Sequence, residues 1–346
     1  MHQARCVESE LDFSQPSIGR LNLIAVLDWG LGHASRSLAL AARLRAMGEH
    51  VCWASSGQAL EMIRQETLGE DCFELTPYGI EYPTGQMAWN MILQAPKFFR
   101  AMRAERREID QVIMQSRADR LISDSRFGCF SKRVPSIFLS HQLHPIVPRL
   151  VGRLYHHWIK PFDAYWVPDQ AVGDRLSGAL SEHLKLKPVY YVGYLSRIKQ
   201  ADEKEFSRPS QLKIGVLLSG PEPQRTKLEN ELLDLLVQIP GPHWLIRGLP
   251  KAQKISAPNH IRITDYGNAL DVRQIIETSQ LLVCRSGYST LMDLKVLSRK
   301  AVLLIPTPGQ TEQIYLAERA QKSGWAATAR QGNLDVERIK DLLAAG

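Results

Sequence analysis

Short apolar runs alternate with segments whose apolar residues recur at helical spacing, and the alternation extends over most of the chain. Leu21 to Trp29 is a largely apolar run of strand length, followed by Gly30 and Gly32. Leu40, Leu44 and Met47 then fall at i, i+4 and i+7 ahead of Gly48, placed where a helix stops. Further apolar runs at Val51–Ala54, Cys72–Leu75, Leu121–Ser123, Ser136–Leu139, Ala164–Val167 and Val189–Val192 predict parallel strands joined by crossovers. From Ser196 to Gln211 the chain turns polar and loses its apolar face, which marks a linker. A second series follows. Its strands are expected at Lys213–Leu218, Trp244–Ile246, Ile261–Thr264, Leu281–Cys284 and Ala301–Ile305, with helices around Thr226–Gln238, Ser289–Leu297 and Glu312–Lys322. The chain therefore reads as α/β, with two doubly wound, Rossmann-like domains in series. The expected divisions are an N-terminal extension (1–20), an N-terminal domain (21–197), a linker (198–211) and a C-terminal domain (212–346). Sheets of this kind bind ligands outside the carboxyl ends of their strands, so the two crevices are expected to face one another across a cleft.

Length agrees with this division, since 346 residues is more than twice the roughly 150 typical of one domain. The 44% hydrophobic and 23% charged composition excludes a disordered chain. No apolar stretch approaches the roughly 20 residues that cross a bilayer, and residues 1–20 carry acids and a proline where a signal peptide has an apolar run. A cytoplasmic protein is expected. Cys6, Cys52, Cys72, Cys129 and Cys284 are odd in number and form no CxxC pair, so they read as reduced thiols and not as a zinc site or disulfide framework. The net charge of +7 is shared evenly between the halves, with no basic tail and no nucleic-acid module, so a nucleic-acid partner is not expected. One local feature stands out: between Asp124 and Asp163 there is no acid, while Arg126, Lys132, Arg133, Arg149, Arg153 and Lys160 are all basic. A surface of one sign favours an anionic partner, either phosphate or a lipid headgroup.

Two motifs carry candidate chemistry. The first, Asp28-Trp29-Gly30-Leu31-Gly32-His33-Ala34-Ser35-Arg36, sits at a strand-to-helix junction. There Gly30 and Gly32 allow a tight turn, and the helix start offers free amides to an anion. Ser35 stands where a Rossmann fingerprint has its third glycine, so the motif is not that fingerprint. His33 lies where imidazole can serve as a general base or orient an acceptor. The second motif runs from Leu281 to Leu294 as strand, small-residue turn and helix, followed by Ala301–Ile305 and the loop Pro306-Thr307-Pro308-Gly309-Gln310-Thr311-Glu312-Gln313. Ser286, Gly287, Tyr288, Ser289 and Thr290 cluster amides and hydroxyls at a helix N-terminus, which suits a diphosphate. Asp293, one turn in, is placed to accept from ribose hydroxyls.

Taken together, GxGH after the first strand and CRSGxxTxxxL followed by IPxPGxxEQ resemble the GT-B nucleotide-sugar glycosyltransferases of family 28, the branch that includes the enzyme forming lipid II of peptidoglycan. The resemblance implies that the C-terminal domain holds the nucleotide sugar. On the matching positions, Ser286, Gly287, Ser289 and Thr290 meet phosphate, Asp293 takes the place of a ribose-binding glutamate, and Gln313, with Glu312 beside it, contacts the sugar. Where the family has a glycine-rich turn, this chain has Ser219-Gly220-Pro221-Glu222-Pro223-Gln224-Arg225, a stiffer segment that still places Ser219, Gly220 and Arg225 near phosphate. No Asp-x-Asp pair is present, so a metal-independent transfer is expected, with charge on the diphosphate met by amides and by Arg225 or Arg285. The nucleotide sugar enters as a substrate, and no cofactor is expected. An inverting transfer needs a base. His33 is the first candidate, Asp124 in Ile122-Ser123-Asp124-Ser125-Arg126 the second, and His141 in Ser140-His141-Gln142 the third.

On the acceptor side, Trp89 to Arg107 interleaves Trp89, Met91, Ile92, Leu93, Phe98, Phe99 and Met102 with five cations and is divided by Pro96. Arg149 to Lys160 repeats the pattern with Tyr155 and Trp158. Each segment is either a helix packed on its own domain or a membrane-interface helix suited to a lipid-linked acceptor on the inner face of the membrane. Two other activities share the layout: a nucleotide-sugar 2-epimerase, and a catalytically inactive nucleotide-sugar-binding partner subunit.

Overall fold

The computed structural model describes residues 8–10, 19–79, 87–182, 187–198, 211–249 and 255–345, and the side chains of 87–93 and Ala95 lie outside the description. Cys6, most of the expected N-terminal extension and nearly all of the expected linker fall outside these residues. The chain divides into two compact units, with a division between Leu195 and Ser196.

The N-terminal unit holds one parallel sheet. Its strands in chain order are β1 (Glu8–Glu10), β2 (Leu21–Val26), β3 (His50–Ser55), β4 (Cys72–Glu74), β5 (Arg120–Asp124), β6 (Ser136–Leu139), β7 (Ala164–Val167) and β8 (Val189–Tyr191). Their spatial order is β1-β8-β7-β6-β5-β2-β3-β4. Helices α1 (Leu31–Ala46), α2 (Gly57–Glu66), α3 (Met87–Ser116) and α4 (Arg149–Ile159) join them. The central strands are apolar runs because both faces of the sheet are covered, as the buried Leu23, Ile24, Ala25, Leu121 and Ile122 show. β1 has no such run. Glu-Ser-Glu joins the edge through backbone pairing with Val189–Tyr191, a signal that hydrophobic patterning does not carry.

Two boundaries differ from expectation. β2 stops at Val26, three residues short of Trp29, because Gly30 at φ 87° turns the chain directly into α1. α3 runs unbroken through Pro96, where the sequence suggested a division. A proline costs a helix one hydrogen bond, and here that loss is offset by burial of Phe98, Ala101, Ile109, Val112 and Ile113. α3 is also pinned by a fully buried Glu105–Arg126 ion pair. Tyr78 donates to Glu105 at 2.7 Å, and Arg126 donates to the carbonyls of Val26 (3.0 Å) and Thr76 (2.9 Å). A buried pair is tolerated when its remaining donors and acceptors are satisfied in this way.

The C-terminal unit repeats the plan on a six-stranded parallel sheet. It comprises β9 (Leu212–Leu217), α5 (Gln224–Leu236), β10 (His243–Ile246), β11 (Ile261–Thr264), α6 (Ala269–Thr278), β12 (Ser279–Cys284), α7 (Tyr288–Val296), β13 (Val302–Leu304), α8 (Thr311–Lys322), β14 (Ala327–Thr328) and α9 (Val336–Ala345). The strand order β11-β10-β9-β12-β13-β14 places the reversal of winding between β9 and β12. In the N-terminal unit the same reversal falls between β2 and β5. These are the two places where a doubly wound sheet opens a crevice. Each unit has its own core: Ile214, Val216, Leu232, Leu245, Val283 and Ile305 in one, Leu23, Cys52, Ile109 and Leu121 in the other. Cys52, Cys72, Cys129 and Cys284 are free thiols, and burial pushes Cys52 and Cys284 up to about 12.

Candidate active site

Asp124 is the last residue of β5 and is fully buried. Ser125, immediately after it, takes the left-handed conformation (φ 59°), so the chain leaves the strand in a sharp turn beside α1. Three side chains of α1 converge on the Asp124 carboxylate. His33 Nδ1 lies 2.8 Å from Oδ1, while Arg36 Nε and Ser37 Oγ each donate to Oδ2 at 2.8 Å. Arg36 Nη2 donates to Oδ1 as well, completing a two-pronged ion pair. Burial alone would raise the Asp124 carboxyl, but Arg36 and His33 hold it well below the usual carboxylate range. With every nearby donor directed at it and no exposed oxygen, Asp124 orients its neighbours and is not itself placed to take a proton from a substrate.

Hydrogen-bond bookkeeping assigns the His33 tautomer. Arg36 Nη2 has two protons, and Asp124 Oδ1 and Ser125 Oγ (3.2 Å) accept them. Nη2 also lies 3.0 Å from His33 Nδ1, but the Asp124 oxygen 2.8 Å from that nitrogen can only accept, so Nδ1 carries a proton and donates it to the carboxylate. Nε2 is therefore the basic nitrogen, on a side chain that is 21% exposed. His141, after β6, is buried, and Arg36 Nη1 donates to its Nδ1 at 3.1 Å, while Gln142 Nε2 lies 3.3 Å from its Nε2. All three residues expected to supply a base thus meet around one guanidinium. Arg36 was not anticipated, although its i+3 spacing from His33 puts both on one face of α1. Gly30 precedes the helix with no side chain near it, and Gly32 lies in the first turn.

In the C-terminal unit the expected donor-binding residues cluster at the ends of β9 and β12. Ser219 and Gly220 are exposed, with Gly220 at φ 107°. Gly287 is the N-cap of α7, lacks a side-chain cap, and would meet nothing within 4 Å if it carried a Cβ. The N-terminus of α7 therefore has open space at Gly287, with Ser289 and Thr290 half-buried after it and Tyr288 buried. Arg285, 1% exposed, donates to the carbonyls of Ile305 (3.1 Å), Pro306 (3.2 Å) and Gln224 (2.9 Å) and to Gln331 Oε1 (2.7 Å). Burial pushes it down to about 10, and Glu231 opposes that shift from a distance. Arg285 Nε and Thr307 Oγ1 are buried without partners, and both approach Gly220, where a Cβ would stand 3.9 and 3.3 Å from them. A side chain at position 220 would press on both.

Other expected residues are occupied differently. Arg225 is buried, donating to Glu222 (2.6 Å), Thr226 Oγ1 (2.6 Å) and Glu229, which also takes Arg247 at 2.8 Å. Its i+4 acid on α5 and Glu222 of the preceding turn hold the guanidinium in a buried ion-pair cluster. Ser286 is buried and donates to the Gln313 carbonyl at 2.7 Å, so its hydroxyl is spent within the fold. Gln313 Oε1 accepts from the Thr307 amide at 2.8 Å and Nε2 donates to Gln310, bracing the loop that the sequence assigned to sugar contact. Glu312 is half-buried in the first turn of α8. Asp293 is half-buried and accepts from Ser196 Oγ at 2.6 Å; burial pushes its carboxyl up to about 7, against the influence of Ser196 and Arg197. Among the described residues no group of three or more His, Cys, Asp or Glu is arranged to hold a metal.

Two doubly wound parallel-sheet units in series, each with candidate ligand machinery at its switch point, define the GT-B architecture. Residues 230–345 match the family model described as the glycosyltransferase family 28 C-terminal domain. An uncharacterized glycosyltransferase of Methanosarcina acetivorans is 23% identical over 338 residues, spanning 88% of this chain and 82% of that protein. The solved glycotransferase of kitacinnamycin superposes with a TM-score of 0.67 at 15% identity, over 95% of this chain and 91% of its own. LpCGTa, solved in complex with UDP, gives 0.62 at 14% identity, over 94% and 90%. Residues 230–345 thus carry a glycosyltransferase family 28 C-terminal domain, and the chain as a whole has the GT-B fold.

Proposed function

We propose that the enzyme moves a sugar from a UDP-sugar to a hydroxyl of a lipid-linked acceptor, with inversion and without a metal. The observation that carries this reading is the His33–Asp124 dyad. It sits at the switch point of the N-terminal unit, with its tautomer set so that Nε2 faces outward as a base. His33 Nε2 takes the acceptor hydroxyl proton as that oxygen forms a bond to the anomeric carbon. The bond from that carbon to the diphosphate oxygen breaks on the opposite face, and UDP departs with the electron pair. The N-terminal end of the α7 dipole, which has no side-chain cap, and the cation of Arg285 before it in the chain supply the positive field for the departing charge. UDP as the donor nucleotide is supported by the UDP complex of the structurally similar LpCGTa. An inactive partner subunit needs no oriented dyad, so the geometry favours an active enzyme; an epimerase also needs a base, and product analysis by chromatography separates it from a transferase.

The lipid-linked acceptor is supported by α4. Leu150 is 78% exposed, and Ile146, Val147, Val151 and Leu154 are exposed around it beside Arg149, Arg153 and Lys160. Tyr155 and Trp158, on the other side of the helix, pack against Phe127, and Trp158 also meets Phe98 and Phe99. In α3 the described aromatics turn inward, while Trp89, Met91, Ile92 and Leu93 lie outside the described side chains. The membrane contact is therefore assigned to α4, on the cytoplasmic face of an anionic bilayer. No described helix is long and apolar enough to cross a membrane.

A thermal-shift screen of nucleoside diphosphates and their sugars, with and without magnesium, tests the donor reading. At a hundredfold excess over Kd, UDP is expected to stabilise the fold by about 2.7 kcal/mol, with no magnesium requirement. Absence of a shift with every nucleoside diphosphate would overturn it.

A further inference from the structure

An imidazole bonded to a buried carboxylate has its proton affinity raised by the negative charge. The more that affinity rises, the less of the base is present in the form that can accept a proton. The N-terminal unit avoids this through Arg36, which is buried at 2% exposure and grips both oxygens of Asp124. The carboxylate still accepts the His33 Nδ1 proton and so fixes the ring, but the guanidinium cancels the charge that would otherwise protonate Nε2.

We propose that Arg36 is a positioning residue that sets the charge state of the base: it neutralises Asp124, so that His33 is oriented by an acid without being kept protonated by it. The charged groups around His33 are Asp124 at the end of β5 and Arg36 on α1. His141, after β6, is bonded to Arg36, and Asp28, on the turn before α1, accepts from Ser56 at 2.8 Å. A purely structural Arg36 would tie α1 to β5 and β6 without affecting the protonation of His33. The two roles therefore separate in a titration.

This inference rests on His33 being the base, but its test needs no substrate, so it can fail while nucleotide binding stands and the reverse. The full-length protein is labelled with 15N-histidine, and His33 resonances are identified by their loss in His33→Gln. The midpoint of His33 titration is then followed by ring-nitrogen NMR. In Arg36→Gln the midpoint is expected to rise by roughly one to three pH units, because the carboxylate is left uncompensated. In Asp124→Asn it is expected to fall by at least about one unit, because the cation is left alone beside the ring. Either single variant leaves a buried charge unpaired and can fail to fold, so the neutral double variant Arg36→Gln/Asp124→Asn keeps the test decisive. Its midpoint is expected within about half a unit of the native protein. A double variant that titrates well below the native protein, as Asp124→Asn would, overturns the proposal. So does a folded Arg36→Gln whose midpoint stays within about 0.3 unit of native.

Discussion

The two sheets share one winding order but furnish their switch points by different means. In the N-terminal unit the crevice is built from side chains: His33, Arg36 and Ser37 bond to Asp124, and Arg36 bonds to His141. In the C-terminal unit the crevice is built from backbone. The N-terminus of α7 has no side-chain cap, and Arg285 nearby in the chain is bonded to three carbonyls and a glutamine. The contrast follows from the charge each must handle. Moving a proton requires a titratable group of controlled charge, whereas holding a diphosphate requires fixed dipoles that do not titrate.

The strongest way to break this comparison is His33→Ala. Loss of the base is expected to lower sugar transfer by about two to four orders of magnitude while leaving the UDP thermal shift intact, since the proposed function assigns nucleotide binding to the other unit. Loss of both together would mean that the units do not divide the work in this way.

Gly287→Asp sharpens the other half. Position 287 has an ordinary φ of −70° and open space, and aspartate is a favoured N-cap, so the unliganded protein is expected to gain a few tenths of a kcal/mol. The same charge faces the bound diphosphate, and UDP affinity is expected to fall at least about tenfold, read by calorimetry. Binding and stability should therefore move in opposite directions. If UDP binds Gly287→Asp as well as the native protein, the diphosphate lies elsewhere.

Titration of Asp293 provides a third comparison. Its folded value of about 7 lies above the ordinary 3.8, so between these values the native state holds a proton that the unfolded chain has released. Asp293 therefore makes the fold progressively less stable as pH rises from about 4 to 7, by up to about 4 kcal/mol. Asp124 has the opposite sign, contributing stability above its unfolded value that is lost in strong acid. Asp293→Asn is expected to flatten the urea-stability profile between pH 4 and 7, and an unchanged profile would remove Asp293 as its cause.

The smallest effect is expected at the surface. Leu150→Glu should reduce cosedimentation with phosphatidylcholine vesicles containing phosphatidylglycerol several-fold, without altering the UDP shift or the melting temperature by more than about a degree. Equal binding of native and variant protein to the vesicles would remove α4 as the contact.

Much of this was legible in the chain. The apolar runs at β2, β5, β9 and β12, and the glycines after β2 and β12, locate both switch points, because a strand covered on both faces must be apolar and a tight strand-to-helix turn needs small residues. The assembly of His33, Asp124 and His141 was only partly legible: each could be placed at a strand end, but their order around a shared cation could not. Arg225 and Arg285 show the limit most clearly. The two read alike as cations near phosphate, yet Glu229 at i+4 draws one into a buried ion pair while carbonyls of Ile305, at the end of β13, and Gln224, at the start of α5, hold the other. β1 and the unbroken α3 were missed because one depends on backbone pairing at an edge and the other on distant packing against Phe98 and its neighbours.

Local sequence alone determined the class of fold, the position of each crevice and the residue types available there, since periodicity and turn chemistry act over a few residues. Which of those residues carries a proton, which is neutralised and which is buried out of use was decided only when elements as distant as α1, β5 and β6 met. Charge state depends on neighbours within a few ångströms, and those neighbours lie about a hundred residues away along the chain.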